Sequence, residues 1–158
     1  MTVFLVRHAD AKSRANWPHP DDTRPLSRKG DAQAQALVDR LRDQPVRRVL
    51  SSPAVRCVET VAPLANKLGV KVEETDTLLE GALASAAYDL MRRMARHKGD
   101  TVLCTHGDLV PELLRLASRD GLAVEDTPRW PKGSTWAIEG DGQQFTRARY
   151  LPPPELEP

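Results

Sequence analysis

The chain has 158 residues, of which 40% are hydrophobic and 28% charged; this balance fits one folded domain and argues against disorder. The formal net charge is +1, from 23 Lys and Arg against 22 Asp and Glu, which argues against a general nucleic-acid binder. No apolar run reaches membrane-spanning length and "MTVFLVRHAD" lacks signal-peptide features, so the expected setting is cytoplasmic, with Cys57 and Cys104 as buried free thiols.

"TVFLVR" opens the chain as a strand apolar almost throughout, the pattern of a strand covered on both faces. A polar loop follows to about Leu26. Ser27 is placed to cap a helix whose apolar stripe is Ala34, Leu37, Val38 and Leu41. "RRVLSS" predicts a second strand. Ser52 is expected to cap the next helix with Pro53 at its first position, and Gly69 to end it. Pro63 falls inside that stripe and predicts a kink or break. "VKVEET" predicts a third strand, residues 84 to 97 a third helix, and "GDTVLCTH" a fourth strand. A fourth helix is expected from near Asp108 or Leu109 to about Ser118, then a long loop from Arg119 to Lys132. "STWAIEGDGQQFTRARY" predicts a hairpin turning at Gly140 to Gly142. The expected domain covers residues 1–150, with 151–158 a flexible tail. Alternating strands and helices imply an α/β layered fold around a mostly parallel sheet.

Ligands in such folds bind beyond the carboxyl ends of the strands. Arg7 and His8 follow the first strand there. Ser52 follows the second, with Arg56 a few residues on, and His106 and Gly107 follow the fourth. Two arginines and two helix N-termini supply donors and positive charge suited to an anion, most naturally phosphate. Gly107 would let the backbone approach a ligand. A neutral imidazole among these arginines is a good nucleophile toward phosphorus, and the scheme needs no metal and no cofactor. A cysteine phosphatase needs Arg six residues after its Cys. Pro63 and Val110 stand at those positions, so that chemistry is excluded.

"LVRHADA", "SSPAVRCVET" and "VLCTHGDLV", in this order and spacing, resemble the three blocks of the histidine phosphatase superfamily. Shortness, "RPLSRKG" and the lack of a large lid insertion make the chain look most like its small SixA-like phosphohistidine phosphatase branch. The resemblance implies a phosphoglycerate mutase-like three-layer α/β/α sandwich. It implies His8 as nucleophile, through a phosphohistidine intermediate, with Arg7, Arg56 and His106 binding phosphate. Ala9 stands where the family usually has Gly. In many members an acid between the second and third blocks protonates the leaving group. Glu80, in "LLEGA", is the candidate by position; the plain alternative is a loop carboxylate.

The substrate stays open between a phosphohistidine protein and a phosphorylated small molecule. Lys12, Arg14, Arg24 and, further on, Lys132 put basic charge near the expected site, and Trp17 offers a stacking face. Lys12, Arg24 and Lys132 are therefore candidate substrate-binding residues, Lys132 for a distal phosphate. These keep a nucleotide or polyphosphate phosphohydrolase, of the kind relatives form beside Nudix domains, as an alternative. A non-catalytic phosphate-binding protein is the second. No membrane and no nucleic-acid polymer is expected as a partner.

Overall fold

The computed structural model describes residues 1–157; of the expected tail 151–158, Pro158 lies outside the described residues. Strand β1 spans Thr2–Arg7, β2 Val46–Ser51, β3 Val72–Glu74, β4 Asp100–Thr105, β5 Ala123–Val124, β6 Thr135–Gly140 and β7 Phe145–Leu151. Helices α1 (Arg28–Leu41), α2 (Val55–Leu68), α3 (Ala84–Ala95) and α4 (Leu109–Arg119) connect them. The seven strands form one sheet in the order β3-β2-β4-β1-β6-β7-β5. The pairings leave β6 alone running against the other strands.

The near-continuous apolar character of β1 has its reason in a sheet packed on both faces. Successive side chains point to opposite sides. Val3 and Leu5 enter one core with Met91, Leu113 and Trp136, while Phe4 and Val6 enter the other with Leu37, Val61 and Leu64. So α3 and α4 cover one face and α1 and α2 the other, giving the expected three layers.

Four local expectations change. Ser52 does not cap α2: the helix starts at Val55 after Ala54, and Ser52 Oγ accepts instead from Ala54 N, at 3.2 Å. Helix α2 continues through Pro63 without a break, since the proline removes one N–H and packing of the apolar stripe holds the rest. The stretch from Arg119 to Lys132 is not all loop, because β5 pairs in parallel with β7. Leu151, expected to lie beyond the domain, is the last residue of β7, and Arg40 donates to the carbonyl of Pro152 at 2.7 Å. Ser27 does cap α1, accepting from Gly30 N at 3.1 Å. Gly30 is required by crowding: a Cβ there would collide with the carbonyl oxygen of Asp10.

Candidate active site

Sheet register brings the two histidines together. Arg7 on β1 pairs with Thr105 on the adjacent parallel β4, so the next residues, His8 and His106, leave the sheet side by side. Their ring centroids lie 5.4 Å apart. His8 N donates to Thr105 O at 3.0 Å, extending the ladder by one bond. From the other flank, Gly133 N donates to His8 O at 3.0 Å and Arg7 N to Ser134 O at 3.1 Å. The backbone at the end of β1 is thus fixed from both sides.

The imidazole of His8 is 4% exposed, and its Nδ1 lies 2.9 Å from Ala9 O. A carbonyl only accepts, so Nδ1 carries the proton and Nε2 keeps a lone pair. Burial lowers the pKa of His8 to about 3; the Ala9 hydrogen bond opposes this, and His106, Arg56 and Arg7 add to it. His8 is therefore a neutral imidazole at ordinary pH. Thr60 on α2 holds the next peptide in place: its Oγ1 accepts from Ala9 N at 2.9 Å and donates to Arg56 O at 2.6 Å.

His106 is equally buried. Its Nδ1 lies 3.3 Å from Arg56 Nη2, and a guanidinium only donates, so Nδ1 accepts. Its Nε2 then donates to Ser52 Oγ at 2.9 Å, with Cys57 Sγ 3.5 Å away. Cys57 and Cys104 are both free and buried.

Arg56, 2% exposed, comes from the first turn of α2. Arg7 Nη1 donates to Trp130 O at 2.9 Å, and Arg7 Nε and Arg56 Nε are buried without a hydrogen-bond partner. Burial lowers the pKa of Arg7 while the charges of Glu80 and Asp108 oppose the shift. Gly107 has a reason beyond ligand approach: the Arg7 guanidinium packs on it, and a Cβ there would stand 2.6 Å from Arg7 Cζ.

Arg7, His8 and Gly107 open into a cavity of about 520 Å³ whose lining also includes Lys12, Arg14, Arg24, Glu80, Asp108, Trp130 and Lys132, while Arg56 and His106 are buried and not part of that lining. The Glu80 carboxylate sits between two arginines, 3.5 Å from Arg56 Nη2 and 3.4 Å from Arg14 Nη2. Lys12 and Lys132 are exposed and form no ion pair among the described residues. Arg24 also lines the cavity, though little of it is exposed. It is buried and directed at the protein, with Nε donating to Asp21 Oδ1 at 3.0 Å and Nη1 to Lys12 O at 2.7 Å. Trp17 lies outside the cavity lining; its indole N–H is held by Pro20 O and Thr23 Oγ1 within its own loop. Trp130 lines the cavity in its place. Another cavity, of about 280 Å³, lies by Tyr88, Arg92 and Phe145, near the opposite, amino-terminal end of β1, and contains no histidine.

Asp21, Thr60 and Trp130 were not legible as site residues. Asp21 reaches Arg56 with its carbonyl and its carboxylate. Thr60 falls on the α2 face that its apolar spacing also marks as buried, so only its polarity there was a signal. Trp130 acts partly through its backbone, which no residue type announces.

The description "Histidine phosphatase superfamily (branch 1)" matches residues 3–89. The chain is 33% identical over 157 residues to the 8-oxo-(d)GTP phosphatase of Mycolicibacterium smegmatis, covering 98% of this chain and 49% of that protein. It thus spans about half the length of that curated relative. The protein histidine phosphatase SixA complexed with tungstate superposes with a TM-score of 0.76 at 20% identity, over 96% of this chain and 94% of that one. A putative phosphohistidine phosphatase SixA from Agrobacterium tumefaciens gives a TM-score of 0.70 at 22% identity, over 97% and 98%. At these identities the structures establish the shared α/β fold, and the sequence match over more than half of the chain establishes descent. The protein belongs to the histidine phosphatase superfamily, branch 1.

Proposed function

We propose that the chain is a metal-independent phosphatase in which His8 Nε2 attacks phosphorus and forms a phosphohistidine that water then cleaves. The observation that carries this reading is the state of His8: neutral, its Nδ1 proton engaged with Ala9 O, its Nε2 free beside two arginines. In the first step the Nε2 lone pair forms the N–P bond as the P–O or P–N bond of the substrate breaks. Arg7 and Arg56 hold the equatorial oxygens, whose charge spreads in the transition state, and His106 would join them only with a proton on Nδ1, the atom that accepts from Arg56 in the free site. In the second step water attacks phosphorus and the N–P bond breaks, returning neutral His8 and inorganic phosphate. Glu80, a carboxylate at the cavity wall, would first take up a proton, pass it to the departing oxygen in the first step and receive one from the attacking water in the second. An imidazole leaving group departs more readily than an alkoxide and depends less on that acid. The substrate we propose is a phosphohistidine protein or a phosphorylated small molecule, and the tungstate complex of SixA, a tetrahedral oxyanion in a relative of the same fold, supports an oxyanion site.

A second reading, a nucleotide or polyphosphate phosphohydrolase, is favoured by two observations. Lys12 and Lys132 flank the cavity as free cations, and a relative bears the name 8-oxo-(d)GTP phosphatase. A panel of a phosphohistidine protein, nucleoside di- and triphosphates and sugar phosphates, run in EDTA, separates the readings by relative kcat/KM. Absence of turnover on the whole panel and on p-nitrophenyl phosphate, or turnover equal in wild type and His8→Ala, removes the enzyme reading.

A further inference from the structure

Asp21 belongs to none of the three sequence blocks, yet its side chain meets three arginines. Oδ1 accepts from Arg24 Nε at 3.0 Å and lies 3.3 Å from Arg14 Nε. Oδ2 lies 3.2 Å from Arg56 Nη2, and the backbone carbonyl accepts from Arg56 Nη1 at 2.9 Å. One residue therefore holds both terminal nitrogens of Arg56. A guanidinium as buried as this one requires a counter-charge and fixed acceptors. Glu80, 3.5 Å away and half exposed, is the longer contact of the two carboxylates. Burial pushes the Asp21 carboxyl up, but the Arg24 hydrogen bond and the charges of Arg56, Arg24 and Arg14 outweigh it and hold the group below the usual carboxylate range. Asp21 is itself anchored, because Arg24 is buried and donates through Nη1 to Lys12 O at 2.7 Å. The carboxylate thus ties Arg56 to the Lys12–Arg14 segment that lines the cavity.

We propose that Asp21 is a positioning residue that fixes the fork of Arg56 for the transition state and couples it to the loop facing the rest of the substrate. The inference rests on the reading of Arg56 as a phosphate ligand. A carboxylate so placed has two opposed effects. Its charge weakens the attraction of Arg56 for a ground-state anion, while its contacts hold the geometry that the transfer requires. Asp21→Asn removes the first and loosens the second.

The test is steady-state kinetics on p-nitrophenyl phosphate, with inorganic phosphate as competitive inhibitor and thermal melting as the fold control, for wild type, D21N, R56K and the double variant. Expected is a kcat for D21N lower by about tenfold or more, an inhibition constant for phosphate that is not weakened, and a double variant within about twofold of R56K, as for coupled residues. Wild-type kcat in D21N overturns the inference. So do proportional losses of kcat and phosphate affinity, and so do losses that multiply in the double variant, since each describes a loop-folding role. Should D21N not fold, Arg24→Gln, which frees the same carboxylate, is expected to lower kcat without weakening phosphate inhibition, and unchanged kcat there overturns the inference. Full kcat in R56K instead removes the reading of Arg56, and the inference with it.

Discussion

At the scale of single residues, His8 sets the pH behaviour. Its imidazole is held neutral by burial, with a pKa of about 3. In the unfolded chain it titrates near the ordinary value of about 6.5. A depressed folded-state pKa gives stability that is complete above about pH 6.5 and lost as pH falls toward the folded value. The loss on this account approaches about 1.4 kcal/mol per pH unit inside that window. Denaturant unfolding of wild type and His8→Gln between pH 4 and 8 is expected to show a shallower acid-side slope in the variant. Parallel slopes would mean that His8 is not the group responsible. Gly107 is a second residue with a sharp consequence. A methyl group at 107 would stand 2.6 Å from Arg7 Cζ, so Gly107→Ala must displace the guanidinium. The expected outcome is a rise of about tenfold or more in KM for p-nitrophenyl phosphate, measurable by initial rates; an unchanged KM would show that Arg7 does not meet the phosphate.

Elements explain why the site is rigid. Helix α2 is fastened to the end of β1 by Thr60, which joins Ala9 N to Arg56 O. Thr60→Val keeps the shape and leaves Ala9 N buried without an acceptor, a cost of about 1–3 kcal/mol. Urea denaturation is expected to show that loss together with a lower kcat, and a variant with wild-type stability would mean that water or a neighbour replaces the hydroxyl. Much at this scale was readable in advance. The unbroken apolar run of β1, Ser27 before α1 and Gly69 after α2 each mark a local physical requirement, and the placement of Arg7, His8 and His106 at strand ends, with Arg56 in the first turn of α2, follows from topology. The misreadings share a cause as well. Ser52 has the right side chain for a helix cap but faces His106, and Pro63 is tolerated because Leu64 and Val61 are packed beside it. Asp21 meets Arg56 from 35 positions away in sequence, and no local pattern encodes that encounter.

Across the whole molecule, charge is arranged rather than accumulated. A net charge of +1 coexists with a cavity bordered by Arg7, Lys12, Arg14 and Lys132. Acidic partners bind part of this charge: Glu80 and Asp21 engage Arg14, while Lys12 and Lys132 stay free. A substrate with anionic groups beyond the transferred phosphoryl should therefore depend on those lysines more than a monoester does. The double change Lys12→Glu and Lys132→Glu is expected to lower kcat/KM for a nucleoside triphosphate about tenfold more than for p-nitrophenyl phosphate, with a shallower salt dependence. Equal losses on both substrates would place the lysines outside substrate recognition. The central claim, covalent transfer through His8, is tested most directly by rapid acid-free quenching of the enzyme with ³²P-labelled substrate and mapping of the labelled peptide. The account predicts an acid-labile, base-stable phosphoryl group on His8 that is absent from His8→Ala. A labelled enzyme that persists in His8→Ala, or turnover by wild type with no label on residue 8, would contradict it.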